Sequence, residues 1–466
     1  MMDLQVVILA AGRGQRMHSK RPKVLHSLGG KPLLQYVIRT ACSLNENRSP
    51  IIVYGHQGNM ICETFSHYPI RFVEQKEQCG TGHALLQALP HIKDDDRVLV
   101  LSGDVPLITE ETLRVLLDKT PKHAIGLLTA SLTNPLGYGR IKRNAQHDIV
   151  GIVEEKDANN DERMITEINP GIYLVPTSYL KKWLPKLNQQ NAQSEYYLTD
   201  MISFAVEEKI AIYSMAPTCC EEVLGINDRV QLNQLERFYQ KQQAEKLMQA
   251  GVTLYDPNRF DVRGDVDIGR DVSIDVNVIL EGHVIIGDDC VIGANTLLRN
   301  VKLGSNVEIK PNSIIDGAEI AEHAVIGPFA RLRPGTIVAA HAHVGNFVEL
   351  KNSMVGEHTK INHLSYIGDS EVGQRVNIGA GTITCNYDGM NKHKTVIEDD
   401  VHIGSDTQIV APLTIGQGAT IGAGSTIIKD VPPHQLTLSH TLNQRSEKNW
   451  QRPDKQKQKV FVEDEN

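Results

Sequence analysis

The sequence lacks a long apolar run. No hydrophobic stretch among its 466 residues approaches the roughly 18 that a membrane-spanning helix needs. The apolar start, Leu4 to Ala11, has no basic segment before it, so it predicts a first strand and not a signal peptide. We therefore expect no membrane partner.

A basic excess is missing as well. The formal net charge is -8 and aromatic residues make up 5% of the chain, with no basic patch that is interleaved with aromatics. This argues against nucleic acid as a partner. The seven cysteines are odd in number, scattered and without a Cys-x-x-Cys pair, which excludes a disulfide framework or a zinc motif and indicates a cytoplasmic protein with reduced thiols.

What the sequence does contain is an apolar residue at every sixth position near its C-terminal end. The series runs Ile403, Ile409, Ile415, Ile421 and Ile427. A period of six predicts short strands that each turn one branched side chain into a narrow interior, which is the hexapeptide parallel β-helix. The same period occurs upstream at Ile268, Ile274, Leu280, Ile286, Ile292 and Leu298, and again at Ile320, Ile326, Leu332, Val338, Val344 and Leu350.

One insertion, Thr384 to Thr395, interrupts the period, and we expect it to leave the coil as a loop. Because three hexapeptides close one coil, the repeats predict a rod with flat faces. Such a rod favours an oligomer, most simply a threefold one. Two interpretations stay open at this point: a scaffold without chemistry, or a rod that carries a site.

The N-terminal part alternates apolar strands with helical stretches. Val6–Leu9 is a continuous branched run, and Ile51–Tyr54, Val98–Leu101 and Ile125–Leu128 are further runs that loops follow. This pattern predicts an α/β domain with a parallel sheet, whose ligands lie beyond the carboxyl ends of the strands.

A glycine turn follows the first strand. Gly12 and Gly14 allow close approach of the backbone to a ligand, and Arg13, Arg16 and Lys23 add positive charge, which suits a polyphosphate. The dinucleotide fingerprint and the Walker motif are both absent. An ordinary strand-to-helix turn is the alternative.

Asp104 lies at the end of another predicted strand. A carboxylate in that position could bind Mg²⁺. It could equally cap a turn, and its position in the sequence does not decide between the two.

The residues from Leu9 to Gly12, with Arg16-Met17 and Pro22-Lys23, resemble the signature of sugar-phosphate nucleotidyltransferases, although Gln15 stands where Thr is usual. With the hexapeptide repeats included, nearly the whole chain resembles the bacterial bifunctional family that joins an N-acetylglucosamine-1-phosphate uridyltransferase to a glucosamine-1-phosphate N-acetyltransferase. That resemblance implies an α/β Rossmann-like nucleotidyltransferase domain followed by a left-handed parallel β-helix (hexapeptide repeat) domain.

The resemblance also implies a uridyl-transfer site. Arg16 and Lys23 would stabilise the charge that develops when the sugar phosphate attacks UTP, and Asp104 and Asn227 would be Mg²⁺ ligands. The nucleotide and sugar ligands it implies are Leu9, Ala10, Ala11, Gly12, Lys23, Gln75, Gly80, Thr81, Gly139, Glu154, Asn169 and Asn227.

A second implied site lies in the repeats. Arg333 and Lys351 are about one coil apart, so they stack along one edge and suit a sugar phosphate. A neutral imidazole is a suitable base for an amine that attacks a thioester, and the resemblance gives that role to His363. Further implied residues are Tyr366, Asn377, Asn386 and Tyr387 in the pocket, and Ala380, Ser405, Ala423 and His440 along the acetyl-CoA groove between neighbouring subunits. His440 stands where the family usually has Arg.

Together these observations predict an N-terminal uridyltransferase domain at 1–227, a linking helix at 228–250, an acetyltransferase β-helix at 251–438 and a mobile tail at 439–466. The expected enzyme is a cytoplasmic homotrimer. It acetylates glucosamine 1-phosphate with acetyl-CoA and then couples the product to UTP, giving UDP-N-acetylglucosamine for peptidoglycan and lipopolysaccharide synthesis. The alternative is a nucleotidyltransferase with one activity and a rod that serves only as scaffold.

Overall fold

The computed structural model describes residues 3–55, 57–440 and 443–447. The chain forms two compact units, Met1–Tyr239 and Gln240–Asn466. The boundary falls within a long helix, Arg229–Gln249, in the stretch predicted to link two domains.

The main sheet of the first unit has seven strands. Its central strand, Leu4–Ala10, is parallel to both of its neighbours. The spatial order is Ile212–Met215, Ile125–Leu128, Tyr173–Pro176, Arg97–Ser102, Leu4–Ala10, Ile51–Tyr54 and Arg71–Glu74. Val7 and Ile8 point to opposite faces and are both fully buried, as the continuous apolar run predicts.

One strand of the main sheet departs from the parallel arrangement that the sequence predicts. Tyr173–Pro176 runs antiparallel to both of its neighbours. The chain enters it directly from Glu167–Asn169, and a parallel strand would need a crossover of about a dozen residues or more. That preceding strand belongs to a second sheet, with the order Ile149–Val153, Gly139–Arg143, Glu167–Asn169 and Ala130–Ser131, and a two-stranded sheet joins Ser27–Leu28 to Lys31–Pro32.

Helices cover the main sheet. The α-helices are Leu33–Leu44, Gly58–Thr64, Thr81–Ala88, Glu110–Lys119, Asn160–Arg163, Thr177–Trp183, Asp200–Glu207 and Arg229–Gln249. Single 3-10 turns occur at Gln15–Met17, Lys23–Leu25, Leu89–His91, Leu184–Lys186, Cys220–Val223 and Pro257–Arg259. Among the helices of the described residues, none has both the length and the apolar content that crossing a bilayer requires.

The second unit is the predicted β-helix, and its strands line three faces. The strands of the first face are Thr253–Leu254, Ser273–Ile274, Val291–Ile292, Glu308–Ile309, Val325–Ile326, His343–Asn346, Lys360–His363, Asn377–Ile378, His402–Ile403, Thr420–Ile421, Leu436–His440 and Asn443–Glu447. All of these pairings are parallel except the last. Asn443–Glu447, which the prediction placed in a mobile tail, pairs antiparallel with Leu436–His440, whereas 441–442 and 448–466 lie outside the described residues.

Two long strands, Phe260–Ile268 and Val278–Ile286, bend around an edge and start the other two faces. The second face continues through Leu297–Arg299, Ile314–Asp316, Arg331–Leu332, Glu349–Lys351, Tyr366–Gly368, Ile383–Cys385, Gln408–Val410 and Thr426–Ile427. The third continues through Lys302–Leu303, Ala318–Ile320, Thr336–Val338, Met354–Val355, Ser370–Val372, Thr395–Ile397 and Leu413–Ile415.

Equivalent residues of successive coils lie 17 or 18 positions apart, as in the register Ile274↔Ile292 and Ile361↔Ile378. The next pair, Ile378↔Ile403, is 25 positions apart because the predicted insertion leaves the coil there. It forms a hairpin closed by a bridge between Tyr387 and Lys392. Each inward residue of this ladder is almost completely buried.

Candidate functional site

The first unit contains a cavity of about 760 Å³ at the carboxyl end of its central strand. Most of the uridyl-site residues expected from the sequence line it: Leu9, Ala10, Ala11, Gly12, Arg16, Lys23, Gln75, Gly80, Thr81, Asp104, Glu154 and Asn227. Two expected residues, Gly139 and Asn169, do not line it but pair with each other in the adjacent sheet. The structure therefore brings the expected set together around one space.

Two glycines shape the wall of this cavity. Gly14 has a φ of 60°, and a Cβ atom there would come within 2.8 Å of the Cβ of Lys23. Gly80 has a φ of 105°, and a Cβ there would meet the carbonyl oxygen of Tyr196 at 2.7 Å. Both positions therefore require glycine, and Gly14 in particular allows the Lys23 side chain to enter the site.

Lys23, Asp104 and Asn227 meet inside the cavity. The Lys23 ammonium forms an ion pair with Asp104 Oδ2 and donates to Asn227 Oδ1 at 3.1 Å. The backbone holds the two acceptors together, because the amide of Ile226 donates to the carbonyl oxygen of Asp104 at 3.0 Å. Two oxygens from distant parts of the sequence thus converge on one positive charge.

Glu154 also lines the cavity and accepts a hydrogen bond from the Thr199 hydroxyl at 3.1 Å. Loss of solvation raises the pKa of Glu154, the Thr199 hydroxyl opposes that rise, and the nearby carboxylates of Asp157 and Asp200 add to it. Asn169 is buried beneath, where its amide donates to the Tyr173 hydroxyl at 2.6 Å. The carboxyl group of Glu154 is consequently suited to hydrogen bonding with a neutral polyol.

A second cluster lies on the second face of the β-helix. Arg333 donates to Glu349 Oε1 at 3.0 Å, and Lys351 donates to Asp369 Oδ2 at 2.9 Å. Asn386, from the insertion, donates to the same oxygen of Asp369 at 2.5 Å. Burial alone would raise the pKa of Asp369, but the hydrogen bonds from Asn352, Lys351 and Asn386 outweigh it and leave the pKa below its usual range.

Sequence reasoning did not identify Lys392 as a member of this basic cluster. The closeness of the Lys351 ammonium lowers the pKa of Lys392, and the Arg333 guanidinium contributes to the same effect. The hairpin therefore adds a third cation to the two that stack along the edge. Because the insertion has no sixfold period, its sequence does not predict that Lys392 returns to this edge.

His363 lies at the end of a first-face strand, and its Nδ1 is 2.6 Å from Asn346 Oδ1. A carboxamide oxygen can only accept, so Nδ1 is the donor, and in the neutral imidazole the lone pair is then on Nε2. Asn346 is the residue directly beside His363 in the preceding coil. Sequence reasoning missed it because the two are 17 positions apart, one fewer than three full hexapeptides.

The remaining expected residues are spread around the β-helix. Ala380, Ser405 and Ala423 form a column along one edge, where the amide of Asp406 donates to the Ala380 carbonyl oxygen at 2.7 Å. Asn377 lies on the first face between Lys360 and His402. Tyr387 is exposed in the hairpin, and the side chain of His440 lies outside the described part of the structure.

Comparison with known proteins covers both units. The model of the MobA-like NTP transferase domain matches residues 6–202, that of the GMPPB C-terminal domain matches 262–346, and that of the bacterial transferase hexapeptide (six repeats) matches 394–429. Among solved structures, a nucleotidyl transferase from Methanothermobacter thermautotroptrophicus is 19% identical over 51% of this chain and 97% of its own, with a TM-score of 0.38.

Curated relatives match over nearly the full length. The bifunctional protein GlmU of Legionella pneumophila (strain Lens) is 54% identical over 97% of this chain and 99% of its own. The bifunctional protein GlmU of Methylococcus capsulatus (strain Bath) is 52% identical over 99% of this chain and 100% of its own.

The raised pKa of Glu154 leads to a prediction about stability. An acid with a raised pKa in the folded state contributes stability below its unfolded pKa of about 4.3, and this contribution is lost as pH rises through the folded pKa. Glu154→Gln should therefore have a higher melting temperature than the wild type at pH 8, and the difference should shrink towards pH 5. Thermal unfolding at both pH values measures it.

Glu155→Gln is the matched control. Burial opposes ionisation of Glu155, but bonds from the Gly137 amide and from Arg140 keep its pKa below the usual range. Its replacement should lower the melting temperature at pH 8. A Glu154→Gln protein that is also less stable than the wild type at pH 8 would contradict the assignment.

Proposed function

This chain belongs to the GlmU family of bifunctional proteins, and we propose that each of its units carries one of two transferase activities. The chain is a bifunctional uridyltransferase and acetyltransferase in the biosynthesis of UDP-N-acetylglucosamine. In this proposal residues 251–438 acetylate glucosamine 1-phosphate, residues 1–227 transfer UMP from UTP to the product, and 228–250 link the two. The free thiols of all seven cysteines support a cytoplasmic location.

The observation that supports uridyl transfer is the meeting of a glycine turn, cationic side chains and two convergent oxygens in one cavity. The backbone from Leu9 to Gly12 lies against the nucleotide. Arg16 and Lys23 stabilise the negative charge that develops when the sugar phosphate attacks the α-phosphorus and pyrophosphate leaves. No protein nucleophile is needed.

Asp104 and Asn227 are suited to hold Mg²⁺. Their oxygens already converge on one cation, the Lys23 ammonium, and a carboxylate with an amide oxygen is the hard donor set that Mg²⁺ prefers. When bound, the ion would withdraw charge from the phosphate oxygens. Lys23 would then leave these two acceptors for a phosphate oxygen.

In this proposal the sugar is bound by Glu154, Gly139 and Asn169. A Cβ at Gly139 would lie 3.5 Å from Glu154 Oε2, so the absence of a side chain keeps that carboxyl accessible. Gln75 and Gly80 stabilise the nucleotide side, where the Gln75 amide donates to the Gly80 carbonyl oxygen at 3.1 Å. Thr81 begins the helix that follows.

In acetyl transfer, His363 is the general base. Asn346 holds its Nδ1 proton, so Nε2 faces outward to accept a proton from the amine as the amine attacks the thioester. The new amide bond forms as the carbon–sulfur bond breaks, and the thiolate of coenzyme A takes up a proton. Tyr366 lies three residues further on, on the same side of the coil as the basic cluster.

Arg333, Lys351 and Lys392 would bind the phosphate of glucosamine 1-phosphate. In the structure Glu349 and Asp369 hold two of these cations in place, and a phosphate would compete for the same donors. Asn386 and Tyr387 come from the same hairpin as Lys392 and would close the pocket. A β-helix that served only as a scaffold would not need three cations brought together on its surface, so this cluster favours a binding site.

We also propose the threefold oligomer. Phe329, Phe347 and Leu364 occupy one edge in successive coils and are 49%, 54% and 61% exposed, and Phe329 stacks on Phe347 at 5.1 Å. Leu364 follows His363 directly. A second copy of the chain that covers this apolar edge would place its own residues beside His363, which suits a groove for acetyl-CoA lined by Ala380, Ser405, Ala423 and His440.

The mass of the purified protein in solution tests the oligomer. We expect light scattering to give three times the mass of one chain, and Phe347→Ser to shift the mass towards one chain. A wild-type protein with the mass of a single chain would rule the trimer out.

The two activities should separate by mutation. Asp104→Ala should lower pyrophosphate release from UTP by about 10²-fold or more and leave acetyl transfer unchanged. His363→Ala should lower thiol release from acetyl-CoA by about 10² to 10⁴-fold and leave uridyl transfer unchanged. A His363→Ala protein with normal thiol release would instead favour the rod as scaffold.

The role of Asn346 gives a further expectation. In Asn346→Asp a carboxylate faces Nδ1 of His363, which favours the imidazolium form. The acidic limb of the pH profile of kcat/KM for acetyl transfer should therefore move up by about one pH unit. Asn346→Ala, which loses the contact without adding a charge, should lower kcat without that shift. An unchanged profile in Asn346→Asp would exclude the contact from catalysis.

A further inference from the structure

A column of histidines lies along an edge of the β-helix that neither transferase site uses. His323, His341 and His358 take the same corner position in successive coils, with φ of 57°, 58° and 58°. Their rings stack in parallel, with centroids 4.8 Å apart in both pairs and interplanar angles of 2° and 8°. The third face ends at this corner and the first face begins, whereas His363 and Lys351 lie at the two other corners of the coil.

The corner does not by itself require histidine. Asn306 takes this position one coil earlier with a φ of 60°, and Arg375 takes it one coil later with a φ of 54°. Asparagine adopts this left-handed conformation readily. The backbone conformation of the corner therefore does not explain why three consecutive coils carry histidine there.

Glu357 completes a set of metal-binding groups with two of the histidines. One ligand atom each from His341, Glu357 and His358 lies within 4.8 Å of the other two. The Glu357 carboxylate is 3.4 Å from His358 Nε2. Two imidazole nitrogens and one carboxylate oxygen are a common ligand set for zinc, and imidazole is favoured by the divalent metals from cobalt to zinc.

The ligand atoms of His341, Glu357 and His358 could bind one metal ion after a small movement of their side chains. Bonds of about 2.0–2.2 Å from a tetrahedral metal place its ligand atoms roughly 3.5 Å apart. The Glu357–His358 pair is already at that separation. Ligand atoms as far apart as 4.8 Å would need to approach by about 1 Å. His358 and Glu357 are 55% and 47% exposed, and their side chains can turn without displacing the core. His323 stacks on His341 but lies outside the group of three.

We propose that His341, Glu357 and His358 form a surface binding site for a divalent transition metal of the zinc class, distinct from both transferase sites. The site joins two successive coils, because His341 belongs to one and Glu357 with His358 to the next. A metal bound there stabilises the stack of coils, since binding to the folded state alone raises the free energy of unfolding.

The test is a Zn²⁺ titration of the full chain without an affinity tag, monitored by competition with a chromogenic chelator. Excess Mg²⁺ occupies sites made of oxygen ligands only. We expect one Zn²⁺ per chain and a higher melting temperature with Zn²⁺. His341→Asn and His358→Asn should each weaken binding at least about tenfold, and both are compatible with the corner because Asn306 already stands in one.

His323→Asn is the matched control, since it changes the same column outside the group of three. Its Zn²⁺ affinity should stay within about twofold of the wild type. The proposal fails if the wild type binds no Zn²⁺, if His341→Asn and His358→Asn bind Zn²⁺ with the affinity of the wild type, or if His323→Asn weakens binding as strongly as they do. Circular dichroism that matches the wild type confirms that each variant is folded.

Discussion

Burial of one branched side chain per strand is the constraint on which the second unit depends. A fully buried Ile, Leu or Val contributes about 1.5–3 kcal/mol, and the ladder supplies such a residue on most faces of each coil. Parallel pairing then places each residue directly above its equivalent, as with Ile361 and Ile378. Everything on the outer surface follows from this register, because residues 17 or 18 positions apart become neighbours whatever their chemistry.

The edges of the coil show what that register can build. One edge carries a hydrogen-bonded column in which Asn277 donates to Asn295 at 2.8 Å and Asn295 donates to Asn312 at 3.2 Å. The same edge continues with exposed Phe329 and Phe347, next to the strand end that holds His363. The same register therefore produces a polar ladder, an apolar edge and the contact between His363 and Asn346, and the side chains at the corners decide which of these forms.

Both candidate sites hold a lysine against an aspartate. Lys23 contacts Asp104, and Lys351 contacts Asp369. Clustered cations repel one another, and a partly buried carboxylate beside them offsets that repulsion until an anion arrives. The pairing of Lys351 raises the pKa of its ammonium group, chiefly through the bond to Asp369. In each cluster the aspartate therefore holds the lysine in place through residues of the chain itself.

Sequence periodicity predicted the β-helix and its insertion, and the glycine turn with its basic residues predicted the cavity, because these features are local. Contacts that depend on register or on loop conformation were not predictable. Lys392 lies in a segment without a period, and Asn346 stacks on His363 only because one coil has 17 residues. The direction of Tyr173–Pro176 depends on the short connection before it, which apolar content does not reveal.

The residues of the two candidate sites lie in different units of the chain. Every residue that lines the cavity falls between Leu9 and Asn227, inside the first unit, and the basic cluster with His363 falls inside the second. The long helix Arg229–Gln249 begins just after Asn227, whose amide donates to Gln231 at 2.7 Å. A substitution at His363 therefore changes no residue that lines the cavity of the first unit.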